Sequence, residues 1–396
     1  MALDVAATAD RFEAVIPALR DEAAAGEAAR RLTTSAHRAL LGAGVFDLLR
    51  PRSLGGEEAD LLSMVRAIRT LASGDGSAGW CAMLSGAYAA FGGLLPRAGA
   101  EEVFDKPATI LAGQLAPNGR ARRVAGGYRV SGRWPFGSNC HHARWLVGGV
   151  VVFEEGRPVM VRDGLPLIKL AIFRKSEATI FDTWRTTGRR ATGSHDYGCE
   201  DVFVPEHRTF WFSDEAREDG PLYRLPTVAA FGAAIAAVNL GVADHALDLL
   251  AEIAPSKKPV MSALTLQQKP NVHDRVGVAL ATHEAGAAYL ERAVAEAWAI
   301  AEAGRRPTFA ERVRLWLVAT HASQCALQAT EAVYTLAGSN SVYEDNVIDR
   351  CLRDARTAAQ HVMTQVLNYE IAGKQRLGLA VQDSTWALDA RPGDPA

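Results

Sequence analysis

From Val5 to about Leu111 the apolar residues recur at three- and four-residue spacing, as in "LTTSAHRALLGAGVFDLL", and this period predicts helices. "PRSLGGEEAD" is a Pro- and Gly-rich break before the next of them. Near Gln114 the period changes. "GGYRVSGRW", "ARWLVGGVVVF", "RPVMVRD", "LIKLAIF" and "EDVFVPEHR" are short β-branched or alternating runs punctuated by Gly, Pro and Asp, so the middle third predicts strands. A loop is expected around Ser213 to Gly220. Helical periodicity then returns in "FGAAIAAVNLGVADHALDLLAEIA", "RVGVALATHEAGAAYLERAVAEAWAIAEAG", "ERVRLWLVATHASQCALQATEAVYTLAG" and "NVIDRCLRDARTAAQHVMTQVLNYEIAGKQ". Four such helices predict an antiparallel bundle. They are apolar around much of their circumference, more than one bundle core requires, so some faces are expected to bury against other subunits. The expected architecture is α+β, with an N-terminal α-helical domain at 1–113, a central β-domain at 114–215 and a C-terminal four-helix bundle at 216–380. The remainder, 381–396, "VQDSTWALDARPGDPA", reads as a flexible tail.

Composition narrows the function classes. With 396 residues, 48% of them hydrophobic, the chain can bury a large core spread over two or three domains. Lys+Arg 43 against Asp+Glu 45 offers no basic field for a phosphate backbone, so nucleic acid is not an expected partner. The N-terminus is charged and helix-like with no apolar signal core, and no stretch reaches about 18 unbroken apolar residues; a cytoplasmic protein without a membrane partner is expected. The five cysteines, Cys81, Cys140, Cys199, Cys325 and Cys351, form no C-x-x-C pair, which argues against a zinc site or a disulfide framework and reads as small buried hydrophobes.

One passage is unusual. "RVSGRWPFGSNCHHARWLVGG", Arg129 to Gly149, crowds Trp134, Pro135, Phe136, Trp145, His141 and His142 among glycines, with Ser138 at its centre. Read alone, it is either a packed β-turn with a solvent-facing serine or the wall of a flat ligand. Adjacent histidines on a strand point to opposite faces, so His141 and His142 are not expected to share a metal, and no metal site is expected.

Five segments occur in a fixed order: "LLRPRSLGGEEADLL", "ASGDGSAGW", "GYRVSGRWPFGSNCHHARWLVGG", "TWRTTGRRATGSHDYGCEDVFVP" and "LAGSNSVYEDNVIDRCLRDARTAAQHV". With the helix–strand–helix order they make a chain that resembles the acyl-CoA dehydrogenase fold, nearly throughout, to about Leu379. Within that fold it resembles the oxygenase components of two-component flavin-dependent monooxygenases. The resemblance implies a β-barrel-like middle domain and a homotetramer. It also implies that the aromatic passage lies along a flavin ring, with Trp134 and Phe136 as walls, glycines allowing close backbone approach, and Ser138 bonded to flavin N5. Thr192, Ser194 and His195 would stand near flavin and substrate. Gly338 and Ser339, beside Asn340, would contact flavin phosphate or adenine across a subunit interface, although helix caps explain the same letters. Arg189, Arg190, Arg350 and Arg353 are phosphate candidates, with ion pairing as the alternative.

The two branches of the fold differ in their reacting groups. A dehydrogenase needs a carboxylate base, and the two positions where the resemblance places one read Val362 and Phe231. The position of the monooxygenase histidine holds His361, which can take a proton from a substrate or hydrogen-bond a peroxide oxygen. Where many aromatic hydroxylases of this branch carry a second histidine, this chain has Tyr88, a poor base and a candidate substrate contact. The implied reaction uses reduced flavin, FMN or FAD, and O2 through a C4a-hydroperoxyflavin to oxygenate a small aromatic or heteroatom-containing substrate. NAD(P)H enters only through a separate flavin reductase, with diffusive flavin transfer. The alternatives are an acyl-CoA dehydrogenase-like FAD oxidoreductase with an atypical base, or a non-catalytic flavin-fold protein.

Overall fold

The computed structural model describes residues 10–162 and 164–381; apart from Val381, the expected tail lies outside the described residues. Among the described residues the N-terminal segment carries the helices α1 (Ile16–Ala29), α2 (Thr34–Gly42), α3 (Leu61–Gly74), α4 (Gly76–Tyr88) and α5 (Arg97–Val103). Side-chain caps start three of them, since Thr33, Asp60 and Asp75 each accept a first-turn amide, from Ala36, Ser63 and Ala78. Asp75 is also the hinge between α3 and α4. The two helices press together where Gly79 has no side chain; a Cβ there would lie 2.6 Å from that of Ala72.

The strands are β1 (Leu111–Val124), β2 (Gly127–Gly137), β3 (Trp145–Glu154), β4 (Arg157–Pro158), β5 (Met160–Arg162), β6 (Leu165–Pro166), β7 (Ile168–Arg174), β8 (Thr179–Phe181), β9 (His195–Pro205) and β10 (Thr209–Phe210). Seven of these follow the order β10-β7-β3-β1-β2-β9-β8, with β4 on β3, while β5 and β6 pair separately. β1 and β3 run parallel and the other pairs antiparallel, so the sheet is mixed. Among the described residues it is open between β10 and β8 rather than closed as a barrel. Those edge strands span two and three residues, too short to ladder across the gap.

The glycines of the aromatic passage have a different purpose from the expected one. Trp134 is 0% exposed, stacked on Tyr197 at 5.5 Å and near Phe173 at 5.6 Å, with its indole N–H donated to Gly149 O at 2.8 Å. Cβ atoms added at Gly119, Gly148 and Gly132 would come within 2.3, 2.6 and 2.8 Å of that indole. The small residues let the sheet close over Trp134. It is a core residue, and the expectation that it walls a flavin is corrected: no face of it is open to a ligand.

The C-terminal helices are α6 (Thr227–Ile253), α7 (Pro270–Glu302), α8 (Phe309–Ala337), α9 (Val347–Ala359) and α10 (Asn368–Arg376). α6 is long and apolar enough to cross a membrane, yet 83% of its most apolar window is buried within the protein, the setting of a core helix. One apolar cluster runs from Phe12 through the sheet to Ile371, joining all three segments. The expected fourth bundle helix is broken, with turns over 360–367 separating α9 from α10. Local side-chain bonds compete with the helix there. Thr364 Oγ1 donates to Ala358 O, Asn368 Nδ2 donates to Thr320 Oγ1 and Val362 O, and His361 Nδ1 accepts the amide of Met363.

Candidate functional site

The break places His361 on a turn, half-buried, with its ring edge-on to Trp80 at 5.8 Å. Trp80 comes from α4, the "GSAGW" helix, and its indole N–H donates to Ser138 Oγ at 3.0 Å. Ser138 lies just past β2, between Phe136 and Asn139, whose φ values of 63° are left-handed and costly for non-glycine residues, about 1–3 kcal/mol each. The amide of Ser138 donates to Phe136 O at 2.8 Å, and that of Asn139 to Thr192 O at 2.9 Å. This tight turn buries the serine and lifts Phe136 out to 56% exposure, edge-on to Trp184 at 6.1 Å. Ser194 Oγ lies 2.7 Å from Ser138 Oγ and 2.6 Å from Thr192 Oγ1. Trp80 and Ser194, distant in sequence, thus meet at one serine, and Trp80 links it to His361.

Beneath Trp80 sits Arg189, its guanidinium carbon 5.3 Å from the ring centroid. This arginine is buried, with φ of 55°, and it donates Nη2 to Asn239 Oδ1 at 3.1 Å, Nε to Asp354 O at 3.0 Å and Nη1 to Gly76 O; its amide donates to Asp354 Oδ1. Burial raises the Asp75 carboxyl to about 6, with the charge of Asp354 adding to the shift, and burial likewise raises Asp354. The cluster joins the helical, β and bundle segments at a point where one unpaired charge would cost about 3–5 kcal/mol. Arg189 is therefore structural, and the other phosphate candidates are paired too: Arg190 with Glu344, Arg350 with Glu27, and Arg353 with Glu27 and Asp349.

Burial holds the His361 imidazole down at about 4, so it is neutral near pH 7. Since Nδ1 accepts the Met363 amide at 3.3 Å, the ring proton belongs on Nε2. Of the two roles the sequence allowed, the geometry favours donating a hydrogen bond to oxygen over removing a proton. The dehydrogenase base positions are as unsuited in space as in sequence. Phe231 is buried edge-on to Tyr88 and Phe91, and Val362 is exposed.

The family model "Acyl-CoA dehydrogenase, C-terminal domain" matches residues 233–366. The chain is 31% identical over 377 residues to the indole-3-acetate monooxygenase of Pseudomonas putida, covering 94% of each chain. It is 30% identical over 387 residues to the flavin-dependent monooxygenase oxygenase subunit HsaA of Rhodococcus jostii (strain RHA1), covering 94% of this chain and 99% of that one. The chain belongs to the oxygenase subunits of flavin-dependent monooxygenases. Its fold is that of XiaF from Streptomyces sp., solved with FADH2 and glycerol, at a TM-score of 0.88 and 29% identity over 96% of this chain and 97% of that one. It is a flavin-dependent monooxygenase by family, and the subunit name of its relative implies a partner component.

The corner of this oxygenase fits a flat ring that carries a polar edge. Phe136 offers an exposed aromatic ring, Ser138 a hydroxyl bonded to Trp80 and Ser194, and His361 a neutral N–H. Two expected substrate contacts fall elsewhere. Tyr88 is buried, stacked on Phe91 at 4.7 Å, with its hydroxyl donated to Gly113 O at 3.1 Å and its pKa pushed far up by burial. His195 is also buried; its Nδ1 accepts the amides of Thr183 and Trp184 at 3.2 Å each, so it braces the turn beside Phe136 rather than facing a ligand. Gly338 and Ser339 are exposed on the turn after α8, and among the described residues no hydrogen bond joins them to the Ser138 corner of the same chain. His141 and His142 occupy a turn, not a strand. The former meets His195 edge-on at 5.0 Å, and the latter stacks on His37 at 4.1 Å. Sequence reasoning missed Trp80 as a site residue, although it closes a segment that carried the family likeness. Nothing in the sequence marks its indole N–H as the partner of a serine 58 positions away.

Proposed function

We propose that this oxygenase takes FAD in its reduced form from a separate reductase and inserts one oxygen atom of O2 into an aromatic substrate, working as a homotetramer in the cytoplasm. The observation that carries the reading is the corner in which Trp80 joins Ser138 to His361. Bound there, reduced flavin would supply the electrons that activate O2. Ser138 would orient the ring edge, Phe136 and Trp184 would shield it from water, and the Nε2–H of His361 would donate a hydrogen bond to oxygen held in the corner. FAD is favoured over FMN by the FADH2 bound in XiaF. An aromatic substrate is favoured by the indole named in the Pseudomonas putida relative and by the aromatic lining of the corner.

Assembly of four subunits is supported by apolar side chains left exposed near the C-terminal turns, among them Val342, Tyr343, Val366, Leu367 and Leu377. In such an assembly Gly338 and Ser339 would reach the adenosine half of a neighbour's flavin. Five cysteines with no disulfide suit a reducing compartment.

The test supplies the purified protein with reduced FAD, O2 and a panel of indoles and phenols, and counts product and hydrogen peroxide. His361→Ala is expected to lower product formation about 100- to 10,000-fold while peroxide release rises. Wild-type coupling in that variant would remove His361 from the reaction, and a stable monomer in light scattering would remove the tetramer.

A further inference from the structure

Five polar groups stand in a row that runs through Ser138, and the bond at each end fixes which way the protons between them point. Thr192 Oγ1 lies 2.8 Å from Arg189 O, Ser194 Oγ 2.6 Å from Thr192 Oγ1, and Ser138 Oγ 2.7 Å from Ser194 Oγ, while Trp80 Nε1 lies 3.0 Å from Ser138 Oγ. A hydroxyl has one proton, a carbonyl oxygen only accepts and an indole N–H only donates. Thr192 must therefore give its proton to Arg189 O. Ser194, facing an oxygen whose proton is already committed, gives its own to Thr192, and Ser138 in turn gives its proton to Ser194. Trp80 occupies one lone pair of Ser138. What remains on Ser138 is one lone pair and no proton. The three hydroxyl residues are each 4% exposed or less, so bulk water cannot reverse the order.

We propose that Thr192 and Ser194 act as positioning residues that make Ser138 an obligate acceptor, and thereby select a ring whose edge nitrogen carries a hydrogen over one whose nitrogen is bare. For a flavin, N5 bears a hydrogen in the reduced form and a lone pair in the oxidised form. The chain of hydroxyls thus welcomes reduced flavin and sets two lone pairs against each other when oxidised flavin enters. The inference rests on the reading that flavin N5 lies at Ser138, and it adds residues that need not touch the flavin. Their effect is on which redox state is held, so it persists in the absence of substrate and of O2.

The experiment is an anaerobic titration of the full-length protein with reduced and with oxidised FAD, in the wild type and in Thr192→Val, Thr192→Ser and Ser194→Ala, with circular dichroism to check folding. Either Thr192→Val or Ser194→Ala releases the proton of Ser138 to turn toward the ligand. The ratio of oxidised to reduced Kd is expected to fall about 3- to 10-fold, the worth of one neutral hydrogen bond. A tenfold fall lowers the midpoint potential of the bound flavin by about 30 mV for two electrons. Thr192→Ser keeps the hydroxyl and is expected to keep the wild-type ratio. Folded variants that bind both forms with an unchanged ratio overturn the proton order while leaving the flavin site standing. Wild-type protein that binds neither form overturns the flavin reading itself, and the inference with it.

Discussion

Trp134 and Trp80 carry the same side chain in opposite settings. Trp134 is sealed inside the sheet, its N–H bonded to Gly149 of β3 and its faces covered by Tyr197 and by backbone that three glycines allow to approach. Trp80 bonds across segments instead, to a serine hydroxyl of the β-domain, with the guanidinium of Arg189 on its ring and His361 at its edge. The first contributes buried area, and its hydrogen bond merely satisfies a group that burial would otherwise strand. The second contributes direction, because it fills a lone pair on the serine proposed to face the flavin. Residue type does not separate the two. What separates them is whether the partner has another bond still to make.

Truncation should break the comparison most visibly. Trp134→Ala leaves a cavity in the sheet and is expected to cost about 3–5 kcal/mol in denaturant unfolding. Trp80→Phe keeps most of its buried area and is expected to cost only about 0.5–1.5 kcal/mol, the worth of its hydrogen bond. If Trp80→Phe destabilises as much as Trp134→Ala, Trp80 is a packing residue and the contrast fails.

Filling the cradle sharpens the same point from the other side. A methyl group at Gly148 would meet the Trp134 indole at 2.6 Å, so Gly148→Ala is expected to destabilise by about 1–3 kcal/mol through overpacking, measured as a shift in denaturant midpoint at unchanged slope. A variant as stable as wild type would show that the sheet yields easily around Trp134.

The smallest expected effect is one of pH. An imidazole depressed from its ordinary value to about 4 favours the folded state above about 6.5 and loses that contribution as pH falls toward 4. His361 therefore stays neutral from pH 6 to pH 8, and coupling of reduced flavin to product should show no inflection from it in that range. An NMR titration in which a resonance absent from His361→Ala moves with a midpoint near 6.5 would show instead that the site is wet and the ring free.

The chain by itself determined the order of helices, strands and helices, because periodicities near 3.6 and 2 are written locally and change visibly near Gln114. It also determined which branch of the fold to expect, since a missing carboxylate at Val362 and Phe231 and a histidine at His361 can be read without coordinates. Tertiary structure decided the rest. A run of regular helical spacing through His361 could not reveal that Thr364, Asn368 and the imidazole itself would bond across it and open the helix into turns. Trp134 and Phe136, two residues apart, looked alike as walls, yet the sheet buried one and a left-handed turn exposed the other. Tyr88 and His195 kept the right chemistry and lost it to partners already in place, Gly113 and the backbone of Thr183 and Trp184. The direction of the hydroxyl row behind Ser138 is the furthest from the sequence, because it follows from which oxygen at the far end can only accept. That condition exists only once Arg189, Thr192, Ser194, Ser138 and Trp80 are held within hydrogen-bonding distance by three different parts of the fold.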